Sequence, residues 1–220
     1  MSVRRDVLLA VADQIPVATG ADCVLVGVDG IDATGKTTFA DELARLLRER
    51  RRPVLRIGAD DFLNPRSVRH RRGRNSPDGF YLDSYDYAAL HRDVLTPLGR
   101  DGERRYRRAT YDLRTDRPYS PDPDVAAPGS VVILDGLFLH RPELAGVWDF
   151  SVFLRIPFAE SVRRMSRRDG LDPLAAGRYV EGERLYLTRC DPAVRATVAI
   201  DNTDPQCPVL IPNDRLMPPR

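Results

Sequence analysis

Lysine is nearly missing from this chain: of 34 basic residues in 220, only Lys36 is a lysine and all others are arginine. A lone lysine in such company marks a position that needs a compact ammonium rather than a planar guanidinium fork. Cysteine is scarce as well. Cys23, Cys190 and Cys207 are odd in number and widely spaced, with no CxxC pair and no clustered histidines, so neither a disulfide framework nor a zinc site is expected. No apolar run reaches the roughly 18 residues a membrane helix needs. The N-terminal stretch MSVRRDVLLAVADQIP is too briefly apolar, and acidic too early, for a signal peptide, so the expected address is the cytoplasm with no membrane partner. A net charge of +2 gives no global pull toward nucleic acid, although arginines crowd between Arg66 and Arg74 and between Arg104 and Arg108.

Short apolar runs alternate with helical patterns. VLVGVDG at 24–30, PVLRIGADD at 53–61, VVILDG at 131–136, FSVFLRI at 150–156 and ATVAIDN at 196–202 read as five buried parallel strands. Helices are expected near Arg4 to Gln14, Lys36 to Arg51, Tyr87 to Leu95, Phe158 to Asp169 and Arg178 to Arg189. This βαβ alternation predicts a three-layer α/β fold, a single domain over 1–220 with helices on both faces of the sheet. Residues 62–86 and 100–129 lack helical period and are too long for plain connectors, so they are expected to be substrate-covering insertions. The Pro-rich end PVLIPNDRLMPPR reads as an irregular tail.

Gly30-Ile31-Asp32-Ala33-Thr34-Gly35-Lys36-Thr37 matches GxxxxGK[ST], follows a strand and runs through Thr38 into an amphipathic helix. Such a loop wraps backbone N–H groups around phosphate oxygens at a helix N-terminus, with the lysine reaching the terminal phosphates. Nucleotide binding with ATP as donor is therefore expected. The Thr37 hydroxyl and Asp135, at the end of VVILD, are the expected Mg²⁺ ligands; a turn aspartate before Gly136 is the plainer reading of Asp135. Gly136 stands where motor ATPases carry a water-activating glutamate. A guanine-reading NKxD motif would need a second lysine. Both observations argue against those two classes.

After the second strand comes Gly58-Ala59-Asp60-Asp61-Phe62, on the rim where ligands of open α/β sheets bind. Asp60 is placed to orient an attacking hydroxyl and take its proton, while Asp61 is read as a loop cap.

The phosphate loop, IGADDF, YDLRTDRP, VVILDG and an arginine-bearing helix occur in the order seen in the uridine kinase and phosphoribulokinase family, which this chain resembles over about 22–204. The resemblance implies a P-loop kinase with Asp60 as catalytic base and Phe62 beside it. It implies an acidic, aromatic acceptor segment matched by Pro77 to Tyr85, with Phe80 and Asp83, or Asp78 in second place, near the ribose hydroxyls, and Tyr111 over the base. It also implies a lid, about 163–178, whose arginines bridge donor and acceptor phosphates: Arg164 on ATP, Arg168 as a catalytic group with Lys36, and Arg178 on the acceptor. Asn202 falls where related kinases contact adenine. Leu63, Leu113 and Asp116 depart from the family pattern at positions that read the pyrimidine.

The expected function is transfer of the γ-phosphate of ATP to a nucleoside 5′-hydroxyl, uridine- or cytidine-like. Another small alcohol, such as a sugar phosphate or vitamin-like acceptor, is the alternative. A nucleotide-binding regulatory module without catalysis is the reading from a different class. A homo-oligomer is left open.

Overall fold

The structure, a computed structural model, describes residues 3–170 and 177–212. Strands β1 Val24–Gly30, β2 Val54–Gly58, β3 Val131–Asp135, β4 Phe150–Arg155, β5 Val198–Asp201 and β6 Val209–Ile211 form one sheet, in the order β6-β5-β4-β1-β3-β2. The first five are parallel, and β1 lies at the centre with Val28 opposite Asp135 on β3 and Val152 on β4. Every residue of β1 and β3 is buried, which explains their unbroken apolar runs.

Alternation along β1 divides the core in two. Val24, Val26 and Val28 join Leu8 and Val11 of α1 Val3–Gln14 and Phe39, Leu43 and Leu47 of α2 Lys36–Glu49. Leu25 faces the other way, toward Phe80 of α3 Pro77–Asp83 and Tyr186 of α5 Gly177–Cys190. Phe39, Leu43 and Leu47 recur every four residues, so one face of α2 is buried; each such side chain contributes roughly 1.5–3 kcal/mol on burial. The remaining long helix is α4 Phe158–Asp169.

Several sequence expectations need correction. The sheet has six strands rather than five, because β6, in what reads as an irregular tail, pairs antiparallel with β5 through Val209 opposite Asp201. The rest of that tail, 213–220, lies outside the described residues, as do 171–176 of the expected lid. β2 stops at Gly58, and Ala59–Phe62 closes into a 3₁₀ turn. The segment 62–86 is not devoid of helix. Ser76 accepts a hydrogen bond from the Gly79 amide at 3.0 Å, with Pro77 at the first turn, and this starts α3. α3 packs so closely on α5 that a Cβ on Gly182 would sit 2.7 Å from Phe80 Cδ1 and 2.9 Å from the Pro77 carbonyl. Tyr87–Leu90 is helical as expected but widens into a π-helical stretch at His91–Leu95.

Candidate active site

The phosphate loop is shaped by what holds its carbonyls. Thr34 Oγ1 and Lys36 Nζ donate to the Ile31 carbonyl at 2.9 and 2.8 Å, and Ser161 Oγ to that of Asp32 at 2.8 Å. Arg164 donates to the Ala33 carbonyl at 3.1 Å, and the Asn202 amide to that of Thr34 at 2.7 Å. Four successive carbonyls are thus held by donors of the protein, which fixes the course of the loop. Gly30, with φ 155°, has no room for a side chain, since a Cβ would lie 2.6 Å from the Leu154 carbonyl. Ala33 and Gly35 also take positive φ, 57° and 87°.

A cavity of about 590 Å³ opens beside the loop, lined by Asp32, Ala33, Gly35, Lys36, Thr37 and Thr38 on one side and by Asp60, Asp135, Arg164 and Arg168 around it. Thr37 donates its hydroxyl to Asp135 Oδ2 at 2.7 Å, so the two expected metal ligands meet. Both offer oxygen, the donor type that suits Mg²⁺. The other oxygen, Asp135 Oδ1, accepts from Arg56 Nη2 at 2.7 Å, and Arg56 reaches on to the Ile133 carbonyl and to Asp41. Across the cavity Asp60 is exposed, and its Oδ1 accepts the Tyr85 hydroxyl at 2.9 Å. Burial, and then the charge of Asp60, push the Tyr85 phenol well above its ordinary range, so it stays a donor.

No protein-family profile matches the chain. Human nicotinamide riboside kinase 1 is 29% identical over 160 residues, which is 72% of this chain and 71% of that protein. A possible uridine kinase from Bacillus stearothermophilus superposes with a TM-score of 0.71 at 24% identity, over 89% of this chain and 97% of that one. A candidate fructose transport system kinase from a Silicibacter species gives a TM-score of 0.66 at 23% identity, over 88% and 95%. This chain is an ATP-dependent P-loop kinase, similar to the kinases of the uridine kinase and phosphoribulokinase family. Its acceptor is a small alcohol.

Other expected site residues of the kinase stand away from the cavity. Phe62 is fully buried in the core, and Phe80 packs edge-on against Phe138 and Tyr179 at 5.3 and 4.9 Å. The Asp83 carboxylate is buried, accepts from Arg72 Nε at 2.9 Å and pairs with Arg71. Burial alone would raise this carboxyl, but the two arginines hold it below the usual carboxylate range. Both its oxygens are engaged by protein. Asn202 is likewise buried and braces the loop from behind, instead of presenting its amide to a base. Arg178 donates to the Arg74 carbonyl at 2.5 Å and lies 5.5 Å from the Phe80 ring centre. Tyr111 lines a second recess of about 470 Å³ with Asp61, Leu113 and Tyr119, and donates its hydroxyl to Asp116.

Arg163 and Arg164 both grip Glu160, holding its carboxyl down to about 2. Arg164 also donates to the carbonyls of Asn202 and Thr203 at 3.2 and 2.8 Å. Three residues at or beside the site escaped the sequence reading. Arg56 was visible as a charge inside an otherwise apolar strand run, and Tyr85 lay in the segment Pro77 to Tyr85. Glu183 was visible as an acid on the apolar spacing Tyr179, Glu183, Tyr186, Cys190 of α5.

Proposed function

We propose that the kinase transfers the γ-phosphate of ATP to the 5′-hydroxyl of a nucleoside or a similar riboside. The observation that carries this is the pairing of Asp60 with Tyr85 across one cavity from the phosphate loop, Lys36 and the Thr37–Asp135 pair. The riboside substrate named for the human relative supports it. The acceptor oxygen attacks the γ-phosphorus, the new O–P bond forms as the bond to the ADP oxygen breaks, and the hydroxyl proton passes to Asp60 Oδ2. Tyr85 fixes Asp60 in the orientation that leaves this oxygen toward the acceptor. Lys36 swings from the Ile31 carbonyl to the terminal phosphates, and Arg168 meets the group in transfer. Thr37 and Asp135 would hold Mg²⁺, which supplies positive charge to the phosphate oxygens when bound.

In this reading the chain is one kinase domain, with 62–86 and 100–129 covering the acceptor and about 163–178 acting as the lid. No helix among the described residues is long and apolar enough to cross a membrane. The cytoplasm, where ATP is abundant, is the compartment that suits the reaction.

One observation favours a second reading, a different small alcohol. Asp83, the residue the resemblance assigns to the ribose hydroxyls, is buried under Arg71 and Arg72. A phosphorylation screen read by mass spectrometry decides between them. Uridine, cytidine and nicotinamide riboside stand against sugar phosphates and vitamin-like alcohols. Products from the second group alone overturn the nucleoside reading.

A further inference from the structure

Among the side chains that hold the phosphate loop, one is out of character. Ser161, Arg164 and Asn202 donate to loop carbonyls, whereas Glu183 accepts, taking the Asp32 amide on its Oε1 at 2.5 Å. Glu183 lies on α5, is completely buried, and its Oε2 meets no donor. An ionised carboxylate in that place would carry an unsatisfied charge beside a loop built to receive a polyanion, which is doubly unfavourable. A carboxylic acid would suit the same place well. Its carbonyl oxygen accepts the Asp32 amide, and its O–H is a donor that the Asp32 carboxylate, which acts on Glu183, can accept.

We propose that Glu183 is a positioning residue of the phosphate loop, which fixes the loop through the Asp32 amide and shares one proton with the Asp32 side chain, so that the loop accepts phosphate only while that proton is held. This rests on the reading of the loop as the ATP site. The surroundings agree with it. Burial first, and then the Asp32 charge, push the Glu183 carboxyl up to about 8, with Lys36 acting in the opposite direction. Asp32 on the loop and Lys36 at the start of α2 are the charged groups facing it, while Pro77 and Phe80 of α3, packed against the neighbouring Gly182, are uncharged. The carboxyl is neutral at pH 7 and loses its proton as the solution becomes mildly alkaline. The second charge then faces Asp32 across the loop and repels the phosphates.

The test is ATP affinity by calorimetry at pH 7 and pH 9, without acceptor, for the full chain and for E183Q. Gln keeps the accepting oxygen and replaces the O–H by an N–H donor, so it imitates the protonated acid and cannot lose its proton. For a group titrating near 8, the parent should bind about tenfold more weakly at pH 9, and E183Q should change by less than about twofold. D32N removes the charge that raises the pair, and should move the midpoint of the parent's loss toward acid. A pH-independent affinity in the parent, the same tenfold loss in E183Q, or an unmoved midpoint in D32N each overturn the proposal while leaving the ATP site standing. Absence of ATP binding at pH 7 overturns the site and the proposal together.

Discussion

Tyr85 donates its hydroxyl to Asp60 at 2.9 Å from a buried position, while Asp60 itself is exposed to the cavity. The tyrosine comes from the segment after α3 and the aspartate from the turn after β2, so this bond joins the two, alongside the Asp86 amide that donates to the Phe62 carbonyl at 2.9 Å. Hydrogen bonds to charged groups are worth about 1.5–3 kcal/mol. Y85F should therefore lower kcat about 10- to 100-fold with little change in KM for ATP, measured by steady-state kinetics. An unchanged kcat would show that Asp60 needs no orienting partner.

Removing the proposed base should cost more. D60N keeps the shape and discards the proton-accepting oxygen, and kcat should fall by about 10² to 10⁴, the usual scale for general-base assistance. D61N is the comparison, since Asp61 lines the neighbouring recess with Tyr111 and not the cavity with Lys36. Equal losses in the two variants would spread the role over both carboxylates.

Metal dependence should run through Asp135. Activity is expected to vanish with EDTA and return with Mg²⁺. In D135N the Mg²⁺ concentration for half-maximal rate should rise at least about tenfold, because a carboxylate ligand is lost where Thr37 alone remains. Arg56, which also bonds to Asp41 and the Ile133 carbonyl, should keep the local fold intact, and the thermal midpoint will report on this.

Asp83 should behave as a fastening of the 66–74 loop. D83A is expected to lower stability by about 1–3 kcal/mol, through the lost partners of Arg71 and Arg72, and to speed tryptic cleavage after those residues. A large rise in acceptor KM with unaltered cleavage would return Asp83 to the substrate.

Glu183 makes stability fall with pH. Its folded value of about 8 lies above the unfolded carboxyl, near 4.5, so the folded state holds the proton more tightly. The contribution is fully present below about pH 4.5 and is lost as pH rises through 8. Urea midpoints at pH 6 and pH 9 should therefore fall further for the parent than for E183Q.

The parts that could be read in the sequence are those whose meaning is local. The phosphate loop is eight contiguous residues, and Asp60 and Asp135 follow from the ends of strands visible as apolar runs. The parts that could not are those decided by distant partners. Phe62 stands two residues after Asp60, and Phe80 sits in an aromatic acceptor-like segment, yet the core takes both. Asn202 is equally suited to a base edge or a backbone carbonyl, and the nearness of Thr34 to the end of β5 decides which it meets. The tail strand escaped because three residues between prolines carry too little periodicity to be seen. Glu183 left a sign, an acid at core spacing, that has meaning only once the loop lies against α5.

Arg164 spends its guanidinium on backbone carbonyls of Ala33, Asn202 and Thr203, and on Glu160 one turn earlier. Two separate stretches of chain are thereby riveted to the start of α4. The first half of that helix must travel with the phosphate loop as one rigid piece, like the fixed leaf of a hinge. Arg168, one turn further along the same continuous helix, therefore meets the cavity from a fixed support.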